Sequence, residues 1–413
     1  MLLKDRIVRV RLILFVLLLG LSGRVHGKCP AGDLNRDCYV DCVDLALFAT
    51  QWMGDPNGAA NLNEDTSIDA IDLAILADHW GRVGCPIVIN ELLAHSHDAA
   101  PDWIELYNLS SLPVDLGGWM FSDDENEPNK YEIAAGTIVE PNDFILFYEH
   151  ETFGNPDDPG TNTAFKMSEN GEVLHLRSGA NAQFPDCALE EAFGASETDA
   201  TFGRYLKSTD TYNFVIMSEP TPGAPNAYPL VGPIIINEIM YRPAGDGDAE
   251  YVELLNISGG PVTLFDFDAV EPWRFVDETG IDFWFPSGNP MTLQAGEHIL
   301  LSRDASLVRQ TFGIPAGVLV LEWDSGKLSN SGEKIRLIKP GDVDEAGTRY
   351  WIEVDRVNYS DGSHGEEFAD EIDPWPRGAD GFGLSLNRLS PMRYGNDPNN
   401  WQATIVTPGQ AND

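Results

Sequence analysis

Basic residues are scarce in this sequence. Lys and Arg number 26 against 66 Asp and Glu, which leaves a formal charge of −40. Binding to a nucleic-acid backbone rests on Lys and Arg displacing counterions, so a surface this acidic argues against nucleic acid as a partner. The charge suits solubility in a salty or calcium-containing medium instead. Long apolar runs are missing after residue 21, so no later segment is expected to span a bilayer. Catalytic signatures are missing as well. There is no nucleophile elbow, no H-E-x-x-H and no phosphate loop, and "GADGFG" (378–383) has glycines without a strand-to-helix setting. The chain therefore does not read as an enzyme, although a carboxylate pair assembled by folding would leave no such signature.

What is present is enough for two or three domains. The chain has 413 residues, and an apolar content of 43% is that of a globular protein. Its 39 glycines and 27 prolines are spread out, as in short strands joined by turns. Residues 1–27 read as a secretion signal. Lys4, Arg6, Arg9 and Arg11 precede an apolar run from Leu12 to Leu21, which Gly20, Ser22 and Gly23 then break. Val25 and Gly27 suit the −3 and −1 sites, with cleavage before Lys28; an uncleaved anchor is the alternative. Either way the chain is expected to be secreted or at the cell surface.

Of five cysteines, Cys29, Cys38, Cys42 and Cys85 lie near the start, where export would let them pair. Four allow three pairings, among which the sequence does not choose. The expectation is Cys29–Cys38 with Cys42–Cys85, leaving Cys187 as a quiet buried thiol with no His beside it.

The stretch "GDLNRDCYVDCVDLALFATQW" (32–52) places Asp33, Asn35, Asp37, Asp41 and Asp44 at loop positions 1, 3, 5, 9 and 12. A second copy, 28 residues on, places Asn61, Asn63, Asp65, Asp69 and Asp72 likewise. This is the ligand spacing of a calcium loop, in which position 7 adds a backbone carbonyl, here from Tyr39 or Ser67. Calcium is a hard cation that takes six to eight oxygens, and a short loop supplies them by pointing alternate side chains inward. Position 12 also begins a helix. Leu45, Phe48 and Trp52, and their counterparts Leu73, Leu76 and Trp80, fall on one helical face, so two units can bury what neither buries alone.

Residues 29–86 thus resemble dockerin, a duplicated calcium-binding module that plugs into cohesin domains on extracellular scaffolds. The resemblance implies two Ca²⁺ sites, the second weaker because Asn61 leaves it three carboxylates against four. Position 6 normally carries Gly for its left-handed backbone, but here holds Cys38 and Thr66. Partner contacts in many dockerins use hydroxyl pairs at positions 10 and 11. Here Cys42, Val43, Ala70 and Ile71 occupy them, which implies an atypical cohesin-like protein partner or none. The alternative is a calcium staple that recruits nothing.

A larger repeat follows. Ile89-Asn90-Glu91 matches Ile236-Asn237-Glu238, and Glu105-Leu106-Tyr107-Asn108 matches Glu253-Leu254-Leu255-Asn256. "FKMSENGEVLHL" (165–176) parallels "GKLSNSGEKIRL" (326–337), and "TPGAPN" (221–226) parallels "TPGQAN" (407–412). In "GEKIRLI", Ile335 and Leu337 alternate with Lys334 and Arg336, the period of a half-buried strand. "DFILFYE" and "EHILLSR" read as strands after turns, and "DASLVRQTFG" (304–313) as one short helix. Short strands in this number imply antiparallel β-sandwiches. Both copies resemble the lamin-tail domain, an immunoglobulin-like sandwich, over 87–226 and 234–412.

The fold class is therefore multidomain and mainly β: a small α-helical dockerin-like calcium module and two immunoglobulin-like antiparallel β-sandwiches. The expected division is a signal at 1–27, the module at 28–86, and sandwiches at 87–230 and 231–413. An aromatic insertion at 266–291, with Trp273, Phe275, Phe283, Trp284 and Phe285, reads as extra core before it reads as a glycan or matrix site. Glu91, Glu105, Glu238 and Glu253 suggest acid–base pairs, but a sheet-end glutamate accepting backbone hydrogen bonds is the better reading. Asn108 and Asn256 begin N-x-S triplets best explained by strand-end turns, and Asn358 begins a third. His95, His97, Asp98 and Asp102 have a zinc-like spacing that a polar hairpin loop explains better. The function expected is a secreted calcium-dependent binding or adhesion protein. The alternatives are an accessory component or hydrolase of extracellular polysaccharide degradation, and a structural surface component.

Overall fold

The computed structural model describes residues 29–412 apart from 98–99, 246, 345 and 369–371; the expected signal and its cleavage site, and Asp98, lie outside the described residues. Helix α1 runs Cys42–Gln51 and helix α2 runs Ala70–Asp78. Each starts at a capping box. Asp41 accepts from the Val43 N–H while Asp44 reaches back to the Asp41 N–H, and Asp69 and Asp72 repeat the arrangement. Reciprocal capping satisfies donors that a helix start otherwise leaves bare, which is why each helix begins where its acidic loop ends.

The module's core is small: Val40, Phe48, Ala60, Ile68 and Leu76, edged by Leu34, Leu62 and Leu73. The expected apolar face is buried only in part, because Leu45, Trp52 and Trp80 are 39%, 41% and 49% exposed. Trp52 is the residue that caps the end of α1, and Trp80 lies beyond the end of α2, so neither follows the helical period. Trp52 instead sets its ring edge-on to Phe48 at 5.6 Å.

The disulfides correct one expectation. Cys29 pairs with Cys38, as expected, but Cys85 pairs with Cys187, and Cys42 is a free, exposed thiol. Cys42 is the first residue of α1 and faces solvent, whereas Cys85 and Cys187 are both buried in the core of the first sandwich. Their 102-residue separation left no local signal of the pairing.

Two sandwiches follow. In the first, a five-stranded sheet runs Tyr212–Ile216, Phe202–Leu206, Ile87–Leu93, Trp103–Asn108, Phe144–Tyr148. It faces a four-stranded sheet of Tyr131–Glu132, Met120–Ser122, Gly171–Arg177 and Ala188–Gly194 across a core that includes Trp119, Phe121, Ile104 and Leu176. The second repeats this order with Trp401–Ile405, Leu384–Arg388, Ile234–Met240, Tyr251–Asn256 and His298–Ser302 against Asp282–Trp284, Arg274–Val276, Gly332–Val343 and Arg349–Ser360. One pair departs from the antiparallel expectation. Helix α3, Ala305–Phe312, begins at Asp304 and ends at Gly313 with φ 65, and carries the chain to Leu319–Glu322, which lies parallel to His298–Ser302. A parallel neighbour needs such a crossover, and the expected short helix is that crossover. Among the described residues no helix is long and apolar enough to cross a membrane.

The helical module is fastened to the first sandwich. Ser111 donates its N–H to the Arg36 carbonyl (2.6 Å) and its hydroxyl to the Asn35 carbonyl (3.1 Å). Tyr39 stacks near Phe184 at 5.4 Å and donates its hydroxyl to the Gln183 carbonyl. Peptide mapping without reduction is expected to recover Cys29–Cys38 and Cys85–Cys187 as linked pairs, with Cys42 alone alkylated; a Cys42–Cys85 peptide would contradict the arrangement.

Candidate functional site

The first acidic loop is shaped by its own backbone donors. Asp33 accepts from the Asp37 N–H (3.0 Å) and the Cys38 N–H (2.9 Å), and Asp37 accepts from the Tyr39 N–H (2.9 Å). Asp44 is fully buried and accepts three backbone N–H groups, from Leu34, Asn35 and Asp41. Arg36 and Cys38 stand at φ 61 and 64, so the left-handed turn reserved for Gly at position 6 is made by Cys38, which the disulfide to Cys29 holds. Burial pushes the Asp33 carboxyl above its ordinary range, and the charges of Asp37 and Asp44 push it the same way.

The second loop follows this plan less fully. Asp72 is buried and accepts from Leu62, Asn63 and Asp69 N–H groups, and Asp65 accepts from the Ser67 N–H (2.7 Å), which holds its carboxyl below the usual range. Glu64 takes the left-handed conformation (φ 57), but Thr66 at position 6 does not. Asn61 donates to the Pro56 and Asp65 carbonyls, while its own Oδ1 is buried and has no hydrogen-bond partner. That orphaned oxygen occupies loop position 1, where a calcium ion would take it as a ligand. The donor set thus fits a hard cation in both loops. The loop carboxylates do not yet converge, however. Among the described residues, the groups of three acidic, His or Cys side chains within 4.8 Å of one another are Cys29–Asp33–Cys38 and His95–Glu169–Asp342. In both loops the Asn at position 3 donates to the Asp at position 5 (2.9 Å). Cys42, Val43, Ala70 and Ile71 are all exposed at the helix starts.

Three of the four repeated motifs of the sandwiches come together as one constellation. Glu91 and Glu105 face each other across adjacent strands, as do Glu238 and Glu253, and all four are fully buried. They sit at a β-bulge in mid-strand, after Ile89 and Ile236, and not at a sheet end. Like charges directly opposite are destabilising, so the surrounding donors decide the outcome. Thr221 donates its N–H and hydroxyl to Glu91, and Gly223 donates its N–H to Glu105. Thr407 and Gly409 do the same for Glu238 and Glu253. Asn90 and Asn237, at the bulges, donate to Glu105 and Glu253; Asn226 and Asn412 tie the closing segments to the carbonyls of Asn90 and Asn237. The T-P-G-x-x-N segment is therefore a latch on a buried glutamate pair. With its oxygens occupied by the chain's own donors, the pair is structural.

The remaining motifs resolve similarly. Glu172 and Glu333 accept the N–H groups of Ser168 and Ser329, closing the turn before each strand. Gly171 is needed there because a Cβ would fall 2.6 Å from the Gly194 backbone, at φ 91. Asn108 and Asn256 are buried and donate to backbone carbonyls, so their triplets are turns; Asn358 is exposed. Trp273, Phe275 and Phe285 are buried and Phe283 packs against the same core, as the bland reading of the insertion expects. Trp284 is 46% exposed, sharing the Arg274 guanidinium with Trp351, and Phe267 of the same insertion is 67% exposed. The histidine run does not converge: His97 pairs with Asp199 (2.8 Å), Asp102 accepts from the Ser96 N–H, and His95 points elsewhere.

Burial pushes the Glu105 and Glu238 carboxyls up to about 7. A carboxyl whose folded pKa exceeds its unfolded one favours the fold below the unfolded pKa of about 4.5 and loses that contribution as pH rises through about 7. Wild type is therefore expected to lose thermal stability relative to Glu105→Gln between pH 4.5 and 7.5, by differential scanning calorimetry. Parallel curves would show that this carboxyl is not perturbed.

No curated protein matches the chain. The Lamin Tail Domain profile matches residues 83–185 and 229–361, one stretch in each sandwich. The strands at 188–216 and 384–405 fall past these stretches yet complete the same sheets. With more than half of its length matched, and with two sandwiches of the same strand order, the chain belongs to the Lamin Tail Domain family, whose immunoglobulin-like domains are binding or structural modules.

Proposed function

We propose that the chain is a secreted, calcium-dependent binding protein. Its front module docks to an extracellular protein of cohesin-like kind, and its two lamin tail domains act as spacers or as binding modules. The observation that carries this reading is the repeated loop–helix unit. In each copy a buried aspartate, Asp44 or Asp72, organises an oxygen-rich loop, and exposed apolar residues stand directly beside it. Val43, Leu45 and Trp52 line the first unit, and Ile71 and Trp80 the second, all between 39% and 57% exposed. Exposed apolar side chains grouped on so small a module favour a protein-binding role over that of a staple alone.

The loops serve as the switch. A cation drawing Asp33, Asn35, Asp37, Asp41 and Asp44 inward, with the Tyr39 carbonyl, neutralises crowded negative charge at the start of α1. Asn61, Asn63, Asp65, Asp69, Asp72 and the Ser67 carbonyl serve α2 with one carboxylate fewer. Metal that binds only the folded form stabilises it by about 2.7 kcal/mol at a hundredfold excess over Kd.

Calorimetric titration of the full-length mature chain is expected to give two calcium-binding events, the tighter lost in Asp33→Ala and the weaker in Asp65→Ala. Absence of any calcium heat, with no change in melting temperature on adding chelator, would refute the metal reading. Affinity capture from the producing cell's secreted fraction is expected to retain one protein with calcium and none with chelator. Val43→Asp with Ile71→Asp should abolish capture and leave calcium stoichiometry unchanged; capture that ignores both chelator and this variant would refute docking.

A further inference from the structure

The seam between the two sandwiches holds a side-chain cluster that neither the loops nor the latches explain. The two domains meet where Ala195 bridges Ile352 and Lys339 pairs with Glu197. Beside this contact a cleft of about 390 Å³ opens, with His95 and Thr198 from the first domain and Asp342 from the second on its walls. His95 is held there by its own ring: Nδ1 lies 2.9 Å from the Ser196 carbonyl, which can only accept, so Nδ1 carries the proton. Nε2 then accepts from the Thr198 hydroxyl, a hydrogen bond that a bound metal would replace. Nε2 lies 3.8 Å from Glu169 and 3.9 Å from Asp342, and 3.2 Å from the Thr198 hydroxyl.

We propose that His95, Glu169 and Asp342 bind one divalent transition-metal ion of the zinc class, which ties the first lamin tail domain to the second. A ring whose far nitrogen is fixed on a carbonyl is how metal-ligating histidines are oriented. Two ligands each about 2.1 Å from one ion stand at most about 4.2 Å apart, so both His–carboxylate spacings already fall within range. Among the described residues neither Glu169 nor Asp342 pairs with Lys or Arg; the nearby Lys339 and Arg349 are engaged by Glu197 and Glu271. Two carboxylates without a Lys or Arg partner and one imidazole nitrogen favour zinc, cobalt or manganese over calcium, which takes oxygen ligands only. The ligands come from the turn after Ile87–Leu93, the turn before Gly171–Arg177 and the end of Gly332–Val343, so the ion would close the seam that the sequence leaves to weak contacts.

The test is a zinc titration of the full-length mature chain carrying Cys42→Ser, in excess calcium so that the loops do not compete. One zinc per chain is expected. His95→Ala, Glu169→Gln and Asp342→Asn should each weaken it by about tenfold or more, and His97→Ala should leave it unchanged. Glu169 and Asp342 are exposed side chains, so their variants keep the fold, which circular dichroism verifies. Cobalt bound to the wild type should show visible absorption bands that His95→Ala abolishes. Failure to bind zinc, or zinc binding that survives His95→Ala, would overturn the proposal and leave His95 as a partner of two acids. Neither result depends on whether the loops take calcium.

Discussion

Carboxylates that accept hydrogen bonds from the chain's own backbone hold this structure together. With 66 acids and 26 bases, ion pairs cannot serve most of the acids. Buried carboxylates are costly unless hydrogen-bonded, and here the donors are largely N–H groups of loops and turns. Asp44 and Asp72 gather three each and start the helices, and Glu172 and Glu333 close turns. The second sandwich also buries an ion pair, Arg388 bonded to Asp355 at 2.7 Å.

The same chemistry explains how each sandwich is closed. The final segment of each repeat cannot join the sheet as a regular strand, because Pro222 and Pro408 lack N–H groups. It uses the N–H groups that flank the proline, on Thr and Gly, to reach the two glutamates of neighbouring strands. The bulges at Asn90 and Asn237 add a third donor to the same pocket. Motifs far apart in the chain are thus parts of one contact, Glu91 to Thr221 across 130 residues in the first copy and Glu238 to Thr407 across 169 in the second.

The strands, their turns and the short helix at 305–312 were legible because each is signalled locally, by alternation, by Gly and Pro, or by Asp304 and Gly313 at the helix ends. The loop–helix repeat was legible for the same reason. What escaped depends on distance. The Cys85–Cys187 bond joins residues whose neighbourhoods carry no mutual mark. The latch was visible as three motifs but not as one site, since only folding shows that Thr221 reaches Glu91. Trp52 and Trp80 satisfied the helical period on paper but lie at or past the helix ends, where the period no longer governs burial. His95 was grouped with His97 by proximity in the chain, whereas its neighbours in space come from two other segments.

The Cys85–Cys187 bond also sets how the molecule would carry load. A pull applied between the front module and the second sandwich would cross that bond and bypass residues 86–186 between its ends. At about 3.3–3.6 Å per extended residue, some 340–370 Å of chain is kept from paying out, so most of the first sandwich is shielded from the force. Two modules joined in this way behave as if linked by a short strap.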